Sequence, residues 1–261
     1  MIVQQAGAIR YYQFESFAAH ALTHGILARH GGVSAAPWAS LNMSVTVGDS
    51  AANVRANRER AFHALGRPPE SVADLWMVHS AEVVIAETPR DLTVEAAKAD
   101  AILTDNPAVT LFLRFADCVP ILLYDARRRA IGLVHAGWRG TLLQTAGAAV
   151  RAMTERYGSR PAEIVAGIGP SIGPCHYEVG PEVAAQTRAA FNGQAESLLA
   201  AGANGRPHLD LWAANALTLR LAGVAQIEVG QICTACRTDD FFSHRGEHGQ
   251  TGRFGALLAL A

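Results

Sequence analysis

The sequence predicts a mixed α/β protein, a single domain with mixed β-sheets flanked by helices, and three observations support this prediction. The chain has 261 residues, a length typical of proteins with one or two domains. Half of the residues are apolar, so a chain of this length buries about 70–75% of its unfolded surface without a disulfide or metal staple. Apolar, β-rich segments mix with amphipathic ones without a regular strand–helix alternation. We therefore treat residues 1–261 as one domain.

Charge and targeting features narrow the class of protein. Lys plus Arg total 22 and Asp plus Glu total 23, so the net charge is −1. No basic excess points to nucleic acid or a membrane surface. All but one of the cationic residues are arginine, the exception being Lys98. That bias suits anion binding, but a GC-rich genome or a hot habitat would also produce it.

The cysteines and the N-terminal segment bear on the cellular compartment. Four cysteines are too few for a disulfide scaffold in a chain of this size. Residues 1–15 lack the apolar core of a secretory signal, and no apolar run reaches the ~18 residues of a membrane span. We expect a soluble, cytoplasmic monomer with reduced thiols, and neither a nucleic acid nor a membrane as partner.

Helices are predicted where apolar residues recur at helical spacing between a capping residue and a glycine. The first begins after Asp49 or Ser50 and ends at Gly66. Pro181, in a favoured first-turn position, begins another. In chain order, the predicted helices span residues 49–66, 141–157, 181–191 and 211–222.

Strands are predicted from the apolar, β-rich segments. Residues 109–124 are too apolar for a surface helix. Because Pro120 cannot donate to a ladder, we divide the segment into two strands bent near residues 117–120. A polar turn at 125–129 makes the second strand part of a hairpin. Further strands are predicted at 130–135, 163–168 and 226–233, with a loose stretch at 192–207.

The hairpin leads to a prediction about chemistry. If its turn centres near Arg127, the numbers of paired residues sum to about 255, so Ile121 faces Val134. Cys118 and His135 then share one face as diagonal neighbours, roughly 7–8 Å apart at Cα. A thiol beside an imidazole allows two chemistries. The thiolate can be a nucleophile with histidine as its base, or both groups can ligate a metal.

A metal ion would need a third protein ligand. The best remaining candidate is His79, which ends an apolar run. Two imidazoles and one thiolate leave a fourth tetrahedral position open, as in catalytic zinc sites. The intervals between the three residues match no local zinc motif, so a scattered set of histidines is the alternative.

Three other segments could bind ligands. Cys233 and Cys236 have CxxC spacing, which fits a redox pair or half of a metal site. Because the sequence has no second CxxC, the alternative is a pair of buried cysteines at a strand end without chemistry. The glycine-rich loop at residues 169–177 could cradle an anion or a sugar, or be only a tight turn. Arg139, near a predicted helix N-terminus, could bind phosphate or face solvent. Dinucleotide and P-loop glycine motifs are absent from the sequence.

Short motifs along nearly the whole chain resemble the YfiH family, also called the laccase-domain or polyphenol-oxidase-like family and described elsewhere as a peptidoglycan editing factor. The ADCVP and HAGWRG segments, separated by the hairpin, are the most specific of them. The matching stretches are HGGVS at 30–34, ASLN at 39–42, VGD at 47–49, NR at 57–58, VHS at 78–80, ADCVP at 116–120, HAGWRG at 135–140, GPSIG at 169–173 and FFS at 241–243.

The resemblance implies a fold, a metal site and an activity. The family fold is a single α/β domain similar to the catalytic domain of bacterial cytotoxic necrotizing factors. The family's metal ligands correspond to His79, Cys118 and His135. Members are described as zinc-binding enzymes that phosphorolyse adenosine, inosine, guanosine or methylthioadenosine and that deaminate adenosine. Copper-dependent oxidation of phenols has also been attributed to the family.

The main hypothesis is therefore a zinc-dependent purine nucleoside enzyme with nucleosides and phosphate as its partners. Its candidate catalytic residues are Cys118, His135, Asp117 and Arg139. Its candidate substrate contacts are Asn42, Ser44, Arg139 and Ser171. One alternative is a hydrolase that edits a cell-wall precursor, with Cys118 as nucleophile and His135 as base. Another is a copper-dependent phenol oxidase, although the histidines and methionines are too dispersed for a multicopper ligand set.

Overall fold

The computed structural model describes residues 1–202 and 205–261. Its strands are β1 (Ile2–Ala6), β2 (Ile9–Gln13), β3 (Leu22–Leu27), β4 (Val72–Ala73), β5 (Val83–Ile85), β6 (Ala101–Thr104), β7 (Thr110–Phe115), β8 (Val119–Asp125), β9 (Ala130–Ala136), β10 (Ile164–Ile168), β11 (Leu199–Ala201), β12 (Pro207–Leu209), β13 (Gln226–Val229) and β14 (Phe254–Leu260). Its α-helices are α1 (Ala51–Ala64), α2 (Trp138–Leu142), α3 (Thr145–Tyr157), α4 (Pro181–Ala190) and α5 (Leu211–Leu221). None of the helices in these two ranges combines the length and the apolar character needed to cross a bilayer.

Two six-stranded sheets form the frame of the molecule. The strand order is β1-β2-β3-β14-β7-β4 in the first sheet and β13-β10-β8-β9-β6-β5 in the second. Both sheets contain antiparallel and parallel pairs. The C-terminal strand β14 lies between β3 and β7, so the last residues of the chain complete the middle of the first sheet. The predicted mixed α/β class, with flanking helices, is confirmed.

The apolar side chains form layers between these elements. Along β8, Leu122 belongs to the core between the two sheets, whereas Ile121 belongs to the core under α3 and α5. On the far side of the first sheet, Phe62 of α1 packs edge-to-face against Phe112 of β7 with the ring centroids 5.2 Å apart. Because the central strands are covered on both faces, their sequences are nearly continuous apolar runs.

The helix predictions hold except at one boundary. The Ser50 hydroxyl caps α1 by accepting from the backbone N–H of Asn53 at 3.1 Å. The helix predicted at 141–157 is two helices, α2 and α3, because Gln144 between them has a φ of 58°. This break allows the hydroxyl of Thr145 to contact the carbonyl oxygen of Ser80 at 2.7 Å.

The strand predictions are confirmed at the hairpin, but the strands before residue 109 and the last strand of the chain were missed. Ile121 pairs with Val134 in the β8–β9 ladder, as the predicted register requires. Strand β13 ends at Val229, four residues earlier than predicted. The strands β1 to β6 and β14 were not predicted. Within the stretch predicted to be loose, at 192–207, β11 pairs with β12, and residues 203 and 204 lie outside the described ranges.

Candidate metal centre and cleft

The candidate centre lies where the chain passes from the first sheet to the second. Strand β7 belongs to the first sheet and β8 to the second, so the crossing occurs between Phe115 and Val119. Within it, Asp117 has a φ of 81°, in the left-handed region that residues other than glycine seldom adopt. This turn places Cys118 directly before β8.

The carboxylate of Asp117 holds the crossing in place. It accepts hydrogen bonds of 2.7 Å from the hydroxyls of Thr234 and Ser243 and one of 2.6 Å from the backbone N–H of Arg245. These three donors engage both carboxylate oxygens. The structure therefore places Asp117 in the lining of the cleft, next to Cys118 and with both carboxylate oxygens hydrogen-bonded, and its predicted catalytic role stays a prediction.

Three side chains meet at the crossing. One ring nitrogen each of His79 and His135 and the sulfur of Cys118 all lie within 4.8 Å of one another. Cys118 and His135 meet because Val119 pairs with Ala136 in the hairpin. His79 arrives on the segment between β4 and β5, with a φ of 60°. His135 is buried, Cys118 is half-buried and His79 is exposed, so the cluster opens to solvent on the side of His79.

Asp100, which the sequence analysis missed, contacts one member of this cluster, His135, and the residue after another, His79. One of its carboxylate oxygens lies 2.8 Å from Nδ1 of His135. The other accepts from the backbone N–H and the hydroxyl of Ser80, at 2.6 and 2.9 Å. Because Nδ1 is held by the carboxylate, Nε2 of His135 is left to face Cys118. Carboxylate–histidine pairs of this kind orient metal-binding imidazoles.

The electrostatics of the cluster follow from burial and from these contacts. Burial works against protonation of His135, but Cys118 and the hydrogen bond to Asp100 outweigh it and raise the pKa of His135 to about 9. Burial would raise the pKa of Asp100, yet its hydrogen bonds with His135 and Ser80 lower it to about 2. Burial, and then the charge of His135, lower the pKa of His79. His79 is therefore neutral, the form that binds metals.

Gly137 keeps the centre open. A Cβ at this position would lie 2.9 Å from the sulfur of Cys118 and 3.0 Å from Nδ1 of His79, so any side chain would occupy the space between the ligands. Two imidazole nitrogens and one thiolate around that space fit a tetrahedral divalent ion whose fourth position is open.

The three residues line a cleft of about 1110 Å³. Several arginines also line it, and three of them, Arg58, Arg114 and Arg253, are strongly desolvated. Burial lowers the pKa of each, and the nearby charge of Arg114 contributes to lowering that of Arg58 to about 10. Asp74 is the carboxylate that partners Arg114, at 3.4 Å. Half-buried guanidiniums grouped in one cleft are suited to binding an anion.

The structure brings one of the four predicted substrate contacts, Ser44, into the lining of the cleft. Asn42 is fully buried, and its amide group donates to the Ser44 carbonyl and accepts from the backbone N–H of Arg253, so it shapes the loop. Ser171 is also fully buried, and its hydroxyl accepts from the indole of Trp212 at 2.6 Å.

Arg139, the fourth predicted contact, lies beside the cleft and not in its lining. It is exposed, with its guanidinium 4.9 Å from the centre of the Trp138 ring. Its charge is close enough to contribute to the lowered pKa of His79. The cleft's own arginines were missed, although one signal was available: Arg114 is a charged residue inside an apolar strand.

Two mixed sheets with a His₂Cys cluster at their crossing define an α/β protein with a candidate catalytic metal centre. The model of a family described as multi-copper polyphenol oxidoreductase laccase matches residues 23–261, and the chain belongs to this family. The resemblance to the YfiH family is confirmed by two solved structures. YlmD from Geobacillus stearothermophilus has a TM-score of 0.92 and 35% identity, covering 98% of this chain and 97% of that one. YfiH from Bacillus licheniformis has a TM-score of 0.92 and 33% identity, covering 99% of both.

Sequence relatives carry names that describe an activity. A purine nucleoside phosphorylase of Deinococcus radiodurans is 41% identical over 240 residues, which covers 92% of this chain and 90% of the relative. The purine nucleoside phosphorylase YlmD of Geobacillus stearothermophilus is 38% identical over 242 residues, which covers 90% of this chain and 88% of the relative. The similarity to cytotoxic necrotizing factors stays a prediction.

Proposed function

We propose that this chain is a zinc-dependent purine nucleoside phosphorylase that acts on adenosine, inosine, guanosine or methylthioadenosine, and that it works in the cytoplasm as a monomer. The observation that carries the proposal is that one cleft holds both an open His₂Cys donor set and a cluster of half-buried arginines. The first suits catalysis with a metal, and the second suits binding of phosphate. The names of the relatives agree with it.

His79, Cys118 and His135 would hold the ion. When bound, a divalent ion in this donor set supplies an electrophilic centre that polarises a substrate oxygen. Asp100 keeps Nε2 of His135 directed at the centre through its hydrogen bond to Nδ1. The thiolate of Cys118 provides negative charge that offsets part of the charge of the ion.

The arginines would bind and orient phosphate. Because Arg58, Arg114 and Arg253 are desolvated, each attracts an anion more strongly than it would in bulk water. In phosphorolysis an oxygen of the bound phosphate forms a bond to C1′ of the ribose. The glycosidic C–N bond breaks, and the purine leaves with the bonding electrons. Holding phosphate and nucleoside together removes much of the entropic barrier to this step.

Deamination of adenosine is a further activity that we propose for the same cleft. Its products, inosine and ammonia, differ from those of phosphorolysis, adenine and ribose 1-phosphate. A single incubation with adenosine, with and without phosphate, therefore measures both reactions.

A thiol hydrolase acting on a cell-wall precursor is the second candidate, and one observation favours it. Asp100, His135 and Cys118 are arranged in the order of a carboxylate, a base and a nucleophile, as in cysteine hydrolases. In that case Cys118 would attack an acyl carbon, and the His135 imidazolium would protonate the leaving group. Such activity would survive a chelator and be lost on alkylation of Cys118.

The experiment is an assay of the purified full chain with each of the four nucleosides plus phosphate, after removal of metals and after reloading with Zn²⁺ or Cu²⁺. We expect phosphorolysis to require Zn²⁺ and to fall by about 100-fold or more in His79→Ala and Cys118→Ser. His63→Ala, an exposed histidine on α1, is the matched control. Full activity of metal-free protein would refute the metal role. Phenol oxidation with Cu²⁺ that exceeds nucleoside turnover with Zn²⁺ would favour the copper alternative.

A further inference from the structure

A second cluster of metal-binding side chains lies outside the cleft, and the chemistry above uses none of it. Cys175, His176, Cys233 and Cys236 each offer one ligand atom, and these four atoms all lie within 4.8 Å of one another. We propose that they form a structural zinc site with a Cys₃His donor set. The site is independent of the proposed nucleoside chemistry.

The distances between the ligand atoms match those around a tetrahedral zinc ion. Nδ1 of His176 lies 3.3 Å from the sulfurs of Cys175 and Cys236 and 3.8 Å from that of Cys233. The sulfurs of Cys175 and Cys236 are 3.5 Å apart. Zn–S bonds of about 2.3 Å and Zn–N bonds of about 2.0–2.1 Å place tetrahedral ligand atoms about 3.5–3.8 Å from one another. These four separations need to change by no more than a few tenths of an ångström, and the other two pairs of ligand atoms lie within 4.8 Å.

The backbone around the cluster is already organised for binding. The parallel pairing of β10 with β13 continues into the two ligand loops. The N–H of Thr234 donates to the carbonyl of Ser171 at 3.0 Å, and the N–H of Gly173 donates to the sulfur of Cys233 at 3.2 Å. An amide that donates to a ligand sulfur stabilises the thiolate form. The loops therefore hold the four ligands in position before an ion arrives.

The donor set indicates a structural role and not a catalytic one. Four protein ligands complete a tetrahedral shell, so no position is left for a substrate. This differs from the centre at His79, where three protein ligands leave one position open. Three of the four ligands are exposed, with Cys233 buried beneath them, so an ion can enter from solvent.

An ion bound by Cys175, His176, Cys233 and Cys236 would also stabilise the cleft. Thr234, inside the CxxC segment, donates its hydroxyl to Asp117, the residue before Cys118. Glu178 follows the loop that carries Cys175 and His176, and its carbonyl accepts from the guanidinium of Arg245 at 3.0 Å. The backbone N–H of Arg245 in turn donates to Asp117. An ion joining the two loops thus fixes two of the donors that hold the crossing between the sheets.

The test counts zinc in the full chain, so it does not depend on any enzyme activity. Protein purified under reducing conditions, saturated with Zn²⁺ and desalted is analysed by plasma mass spectrometry. We expect two zinc ions per chain in the unsubstituted protein and one in Cys236→Ser, whose side chain is exposed. Cys118→Ser is the matched control, since it also lowers the content from two to one, but at the other site.

X-ray absorption at the zinc edge of Cys118→Ser identifies the ligands without altering the second cluster. We expect three Zn–S distances near 2.3 Å. A zinc content that Cys236→Ser leaves unchanged would overturn the proposal. So would a spectrum of Cys118→Ser without sulfur ligands, or a disulfide between Cys175 and Cys236 in the reduced, zinc-saturated protein.

Discussion

Asp100 joins His135 to the segment that carries His79, because one of its oxygens contacts His135 and the other contacts Ser80. Asp100→Asn keeps the size of the side chain but replaces one carboxylate oxygen with an NH₂ group. That group would face another donor, either Nδ1–H of His135 or the N–H and hydroxyl of Ser80. We expect the affinity of the centre for Zn²⁺ to fall about 10–100-fold, as is typical when a residue that orients a metal ligand is replaced. Competition with a chromophoric chelator measures the change.

Asp125→Asn is the control for this substitution. Asp125 is as fully buried as Asp100 and accepts from the backbone N–H groups of Arg127 and Arg128. It lies at the end of β8 away from Cys118 and the candidate centre. An equal loss of zinc affinity in both variants would mean that Asp100 acts through general stability and not through His135.

His24 is a buried histidine that stays neutral, and it makes the stability of the protein depend on pH. Burial lowers the pKa of His24 to about 4, and its Nε2 accepts from the backbone N–H of Phe14 at 3.0 Å. Between its ordinary pKa of about 6.5 and 4, the unfolded chain binds a proton there and the folded chain does not. The free energy of unfolding therefore decreases as the pH falls through this window, by about 2 kcal/mol between pH 7 and 5.

His24→Gln retains an acceptor for the N–H of Phe14 but does not titrate. We expect this variant to lose about 2 kcal/mol less than the unsubstituted protein between pH 7 and 5, as measured by urea unfolding at both values. His63→Gln, at an exposed site, should keep the original pH dependence. An unchanged pH dependence in His24→Gln would show that other groups are responsible.

The junction of α2 and α3 shows how one residue divides an element. The apolar periodicity of the segment is continuous, but Gln144 adopts a φ of 58°, which is unfavourable for a residue with a Cβ. Gln144→Gly removes the backbone strain at this positive φ and should raise the free energy of unfolding by up to about 1 kcal/mol. Gln144→Val introduces a β-branched side chain and should lower it.

Gln186→Gly supplies the contrast, since it is an exposed position within α4. Glycine inside a helix costs about 1 kcal/mol, so the same substitution should have opposite signs at the two glutamines. Urea unfolding of the three variants measures this. If both glycine variants are destabilised equally, α2 and α3 form one continuous helix in solution.

In the whole molecule, the features that could be predicted are those that depend on local contacts. The turn between β8 and β9 spans only residues 126–129, so the register could be deduced and with it the meeting of Cys118 and His135. His79 was located by its place at the end of an apolar run and by the family resemblance. Neither argument could show its distance from the other two residues.

The features that could not be predicted depend on pairing between distant segments. Asp100 reaches His135 because β6 pairs with β9, and no spacing in the sequence indicates that pairing. Strand β14 joins β3 across more than 200 residues. The second group of candidate metal ligands was missed for the same reason, since Cys175 and Cys236 are brought together by the parallel pairing of β10 with β13.

The cleft itself is a property of the whole molecule, because its half-buried arginines come from three distant parts of the chain: Arg58 in α1, Arg114 in β7 and Arg253 directly before β14. Burial lowers the pKa of Arg253, while the nearby charges of Cys118 and Asp117 act to raise it. Its guanidinium therefore lies near the candidate metal centre, in the part of the cleft where we propose that phosphate binds.

If phosphate binds there, Arg253→Gln removes a charged hydrogen-bond donor and should raise the KM for phosphate about 10–100-fold, measured at saturating inosine. Arg139→Gln should change this KM less than about twofold, because an exposed guanidinium contributes little to binding. The opposite result, with Arg139→Gln impaired and Arg253→Gln unaffected, would place phosphate at the N-terminus of α2, as the sequence alone suggested. Equal circular dichroism spectra for the two variants would show that neither result comes from misfolding.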